Sequence, residues 1–105
     1  MEVRSDRING PFTVDTDLTI YGTVVGRATV RSSRTLVLHG VVTKDLVVES
    51  AAHVTVFGTV TGTVINHGGL VEIHGTVGAL ADTASASRTI ITHGAIIGGQ
   101  SWSVT

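Results

Sequence analysis

Two groups of side chains in this sequence have types and spacings that could do chemistry. The first is Glu72, His74 and His93. A carboxylate two residues before a histidine shares its face of a strand, and histidines on adjacent strands could together hold an ion such as zinc. Only three ligands are visible, however, and no second shell can be assigned to them. The second group is Ser85 and Ser87, near Asp82 and within reach of His93. A serine triad needs a fixed scaffold, and the stretch "ALADTASASR" (Ala79 to Arg88) shows no clean alternation, which predicts a loosened or bulging corner. No catalytic residue, resident metal or cofactor is therefore expected, and the chain is read as non-enzymatic.

What positions these side chains is a repeat. An apolar residue, a gap, a second apolar or small residue, a gap and a glycine recur in "LTIYG" (Leu18 to Gly22), "LVLHG" (Leu36 to Gly40), "VTVFG" (Val54 to Gly58), "VEIHG" (Val71 to Gly75) and "IITHG" (Ile90 to Gly94). The glycines at 22, 40, 58, 75 and 94 are spaced 18, 18, 17 and 19 residues apart by subtraction. Leu18, Val24, Val30, Leu36, Val42, Val48, Val54 and Val60 are all apolar and six apart. A six-residue step nested three times in an eighteen-residue repeat describes a coil with three flat faces. The expected fold is all-β: one three-sided parallel β-helix of about five rungs, with a cap or partial rung over residues 1–17 and the coil over 18–105.

Side chains alternate in and out along each face. The expected interior is Leu18, Ile20, Leu36, Leu38, Val54, Val56, Val71, Ile73 and Ile90 on one face. Val24, Val42, Val60, Val77 and Ile96 start the next, and Ala28, Val30, Leu46, Val48 and Val64 follow. Asn66 falls in the column of Val30 and Val48, where an inward asparagine makes a hydrogen-bonded corner or marks an early turn at "NHGGL". Glycine closes each motif at a corner, where positive φ costs it little. Tyr21, His39, Phe57, His74 and His93 then form one outward column of rings beside the glycines, read as packing that shields the turn. His53 and His67 are expected exposed. Thr59, Thr61 and Thr63 face outward on one rung, but the array is not continued on its neighbours, which argues against ice binding.

Composition narrows the function. With 42% hydrophobic but only 4% aromatic residues, the core must be aliphatic. A net charge of −1 gives no basic excess for nucleic acid. Six of the seven basic residues lie in the first 44 positions, yet the register sets Arg27 over Asp45 and Arg31 over Glu49, pairing them off. Without cysteine there is no disulfide or thiolate chemistry. No apolar run approaches the ~18 residues of a membrane span, and the start "MEVRSDRING" lacks a signal peptide's apolar core, so a cytoplasmic location is expected.

The pattern L-x-I-x-G-x-V-x-G, as in "LTIYGTVVG" (Leu18 to Gly26) and "VTVFGTVTG" (Val54 to Gly62), resembles the bactofilins, bacterial polymer-forming cytoskeletal proteins. The resemblance covers roughly residues 18–99. It implies a right-handed β-helix, whereas the spacing alone suits the left-handed hexapeptide helix equally. The acyltransferases built on that left-handed helix normally use longer coils and added domains. The disordered tails and membrane-targeting start that bactofilins usually carry have no counterpart in this sequence.

The ends of such a coil expose unpaired N–H and C=O groups. Toward the amino terminus Arg4, Asp6, Arg7, Pro11, Asp15 and Asp17 blunt the edge, with Ile8, Phe12 and Val14 plugging the core. After Arg88 the sequence contains no Lys, Arg, Asp or Glu. Ile96, Ile97 and Trp102 are the expected self-association residues, giving an end-to-end homodimer or polymer. The alternative is a small module that masks another protein, such as a toxin-neutralising partner, through the ring column or through the outward pair Val47 and Ile65.

Overall fold

Short apolar strands with small corner residues leave the chain one way to satisfy its backbone: each strand pairs with its counterpart in the turn before. In the computed structural model, which describes residues 2–82, 88–91, 96–97 and 100–101, that is what the chain does. The first turn holds β1 (Glu2–Arg4), β2 (Arg7–Asn9) and β3 (Phe12–Val14), and the second β4 (Leu18–Ile20), β5 (Thr23–Val25) and β6 (Ala28–Val30). The third holds β7 (Thr35–Leu38), β8 (Val41–Val42) and β9 (Leu46–Val48). In the next two turns the second and third faces run together as one strand, giving β10 (His53–Val56) with β11 (Thr59–Asn66), then β12 (Leu70–Ile73) with β13 (Thr76–Asp82). The last turn holds β14 (Arg88–Ile91), β15 (Ile96–Ile97) and β16 (Gln100–Ser101).

The result is an all-β solenoid in which about five coils of about 18 residues are laid on the opening turn, with no helix among the described residues. One face is the six-stranded parallel sheet β1-β4-β7-β10-β12-β14. The second runs from β2 through β5 and β8 to the first halves of β11 and β13 and then β15. The third stacks β3, β6, β9 and the second halves of β11 and β13.

The register sets like on like. Leu18, Leu36, Val54 and Val71 form one vertical row, Ile20, Leu38, Val56 and Ile73 another, and Val24, Val42, Val60 and Val77 a third. All are buried, as are Ala28, Val30, Leu46, Val48 and Val64, with Ile8 and Val14 closing the bottom. Each such aliphatic side chain contributes roughly 1.5–3 kcal/mol on leaving water, which is how so small a coil holds together without an aromatic at its centre.

Asn66 occupies the row of Val14, Val30 and Val48 and is fully buried. Its Oδ1 accepts the N–H groups of Gly68 (3.2 Å) and Gly69 (2.7 Å), and its Nδ2 donates to the carbonyl of Gly69 (3.0 Å). The asparagine thus builds the corner that shortens this turn, with Gly68 at φ +127° beside it.

Several expectations need correcting. The corner glycines are not needed for positive φ, which among the described glycines belongs to Gly26 and Gly68. Gly40, Gly58 and Gly75 are required by close approach, because a Cβ on each would collide with the carbonyl of the glycine one turn below. The stretch from Ala79 is not a loosened corner as far as Asp82: it is the end of β13, paired residue for residue with Thr63–Asn66 across a bulge near Gly62. Finally, Ile90 does not stand over Val71. Thr89 and Ile91 take the positions above Val71 and Ile73, and Ile90 pairs with Glu72. Ile97 rather than Ile96 then stands over Val77. Four residues separate β14 from β15 in sequence, where two separate β12 from β13 one turn earlier.

Candidate functional site: a ring ladder and the sheet ends

On the first face β4, β7, β10 and β12 are each followed by one outward residue before a glycine. Because the strands are parallel and in register, these residues lie one strand spacing apart, roughly 4.7–4.9 Å. That is also the separation of stacked rings. Tyr21 and His39 lie 4.6 Å apart between centroids and 7° from parallel, His39 and Phe57 5.0 Å and 9°, and Phe57 and His74 4.9 Å and 17°. The rings meet face to face along the column, so their edges point sideways, leaving Tyr21 56% and Phe57 49% exposed. His93 lies outside the described residues.

The chemistry expected of Glu72, His74 and His93 reduces to one contact among the described residues. His74 Nε2 stands 3.9 Å from Glu72 Oε1, a separation that forms an ion pair only when the imidazole is protonated. No cluster of three or more metal-ligating side chains occurs among the described residues. Ser85 and Ser87 also lie outside them, and Asp82 pairs in register with Asn66. A surface concavity of about 520 Å³ is lined by Ser5, Asp6, Arg7, Gly22, Thr23, Val25 and Thr43. Its carboxylate is engaged by Arg4, and the Thr43 hydroxyl accepts the Gly26 N–H at 2.9 Å.

Charged groups work at the corners. Arg27 reaches Asp45 at 3.3 Å, and Arg31 bridges Glu49 at 3.3 Å and Asp15 at 3.9 Å, as their register requires. What the spacing did not reveal is that acids, Asp45 and Glu49 among them, also accept backbone N–H groups of neighbouring turns. Asp17 accepts from Thr35 N (3.1 Å), Asp45 from Thr63 N (3.0 Å) and Glu49 from Ser32 N (3.2 Å). The Thr63 N–H, helped by Arg27, holds the Asp45 carboxyl below the usual carboxylate range. Arg4 grips Asp6 through two hydrogen bonds of 2.9 and 2.8 Å and lowers its pKa in the same way.

The sheets end differently at the two poles. At the amino-terminal pole β1, β2 and β3 each pair on one side only among the described residues, and Val3 is 60% exposed. At the other pole β14 has no strand on its outer side among the described residues. The second face is closed by β16, which runs antiparallel to β15 with Ile96 opposite Ser101 and Ile97 opposite Gln100. The expected self-association residues Ile96 and Ile97 therefore lie in a strand flanked on both sides, and Trp102 lies outside the described residues. Val47 and Ile65 are neighbours on the third face and half-buried.

No family model matches the chain, and neither a curated protein nor a solved structure matches it. No helix among the described residues is long and apolar enough to cross a membrane.

Proposed function

We propose that this protein is a non-enzymatic β-helical scaffold that associates with copies of itself through its terminal turns, in the manner the likeness to bactofilins implies, in the cytoplasm. One observation carries this reading: among the described residues the six-stranded parallel sheet is open at both ends, at β1 and at β14. Open edges are templates for another strand, and proteins that must stay alone blunt them with charge. The amino-terminal pole carries Arg4, Asp6, Arg7, Asp15 and Asp17, whereas no charged residue follows Arg88. The contrast points to the carboxyl-terminal pole as the side on which association starts.

A second reading rests on the half-exposed ladder. A rigid row of ring edges suits a module that binds and masks another protein, such as a toxin, with Tyr21, His39, Phe57 and His74 as the contact and Val47 with Ile65 as a secondary patch. Sedimentation velocity over a hundredfold range of concentration, with negative-stain microscopy, separates the two. A scaffold gains mass with concentration and forms dimers or filaments. A species that stays monomeric throughout refutes the scaffold and leaves the masking module.

A further inference from the structure

The antiparallel β15–β16 pair is out of keeping with the rest of the molecule, in which every other strand pairing among the described residues is parallel. A solenoid that simply continued would send the chain past Ile97 around the next corner onto the third face. Here it doubles back instead. The residues between the two strands are Gly98 and Gly99, the pairing favoured in two-residue hairpin loops. In such a hairpin the residues flanking the loop, Ile97 and Gln100, exchange both backbone hydrogen bonds. Those are the groups of Ile97 that would otherwise face an incoming strand.

The hairpin therefore occupies the edge on which a further turn would be laid. It leaves open the outer edge of Ala79–Asp82 on the third face, where a continuing chain belongs, since β13 there pairs only with β11 among the described residues. We propose that β16 (Gln100–Ser101) is a self-made stop. Folded back on β15, it covers the edge on which a second copy of this chain would add a strand, and so blocks growth of the second face. Released, it leaves that edge of Ile96–Ile97 open to the second copy.

This inference rests on the scaffold reading and is tested so that the two can fail separately. Two full-length variants push in opposite directions. Gln100→Pro removes the N–H that closes the hairpin. The pair Ile96→Cys with Ser101→Cys, at facing and non-hydrogen-bonded positions, suits a disulfide that locks the hairpin shut, in a chain without native cysteine. Far-UV circular dichroism checks that each variant retains the strand signal, and sedimentation velocity gives its mass distribution. Gln100→Pro should raise the weight-average mass at least about twofold over the parent chain. The oxidised lock should lower it, and dithiothreitol should restore it. Equal masses for the parent and Gln100→Pro, together with a lock that behaves alike oxidised and reduced, overturn the stop whether or not the parent chain associates. A monomeric parent alongside an assembling Gln100→Pro variant upholds the stop and defeats constitutive association. Should Gln100→Pro lose the strand signal, the disulfide pair decides alone.

Discussion

Replacing Asn66 by valine tests whether the corner is held by hydrogen bonds or by packing. Valine restores the apolar row of Val14, Val30 and Val48 on which Asn66 stands, so a purely hydrophobic account expects a more stable protein, by up to about 1.5–2 kcal/mol. The structure argues the reverse. Valine strands the N–H and the carbonyl of Gly69, which is buried, and the N–H of the half-buried Gly68. Each buried group left without a partner costs about 1–3 kcal/mol, while the Gly68 N–H can turn to water at little cost. Set against the apolar gain, the balance is a loss of about 2 kcal/mol. With a urea m-value of about 2 kcal/mol per molar, the unfolding midpoint should fall by about 1 M. An Asn66→Val protein as stable as the parent, or more so, refutes the argument. Asn66→Asp adds a sign. Protonated, the acid can donate to the Gly69 carbonyl as the amide does. Ionised, it sets a buried charge against that carbonyl, so its folded pKa is raised. Relative to the parent, this variant should fall in stability as pH rises above about 3.9, the unfolded value, until the folded pKa is passed.

Asp45 behaves oppositely. Its folded pKa is lowered, so its contribution is complete above about pH 3.9 and is lost as pH falls through the folded value; Asp45→Asn should flatten that acid limb of the stability profile by less than about 1 kcal/mol, since the carboxyl is partly exposed. Phe57→Ala breaks two of the three ring contacts and should cost about 1 kcal/mol in urea unfolding, each pair contributing at the low end of about 0.5–1.5 kcal/mol because the ring is half in water. Gly40→Ala drives a Cβ into the Gly22 carbonyl and should cost more than about 4 kcal/mol, seen as loss of the far-UV strand signal or collapse of the midpoint; a folded variant within 1 kcal/mol of the parent would show that the turns can separate there.

Why the middle of this chain is so legible, and its end so much less so, follows from how a solenoid constrains its own sequence. A residue in an inner turn answers to neighbours above and below at strand spacing. Val42 must suit both Val24 and Val60, and His39 both Tyr21 and Phe57. Identity across turns is therefore selected twice, and the repeat of about 18 residues by itself carries the faces, the rows, the charge pairs and the ring ladder from Tyr21 to His74. A residue of β14 answers to one strand neighbour only among the described residues. There the pattern Thr89-Ile90-Ile91-Thr92 offers two adjacent isoleucines, and a one-residue slip exchanges inside for outside. The His93-Gly94 pair favoured one phase, while the hydrogen-bonded register took the other. The same weakening hid the end of β13, whose small residues Ala79 and Ala81 mark neither face strongly, and the antiparallel return of β16, which no repeat foreshadows. Departures inside the coil, the bulge near Gly62 and the corner at Asn66, must still let the next turn stack, whereas β15 meets an antiparallel strand on its outer side and no coil strand there, so the stop at β16 escapes the constraint that the repeat imposes.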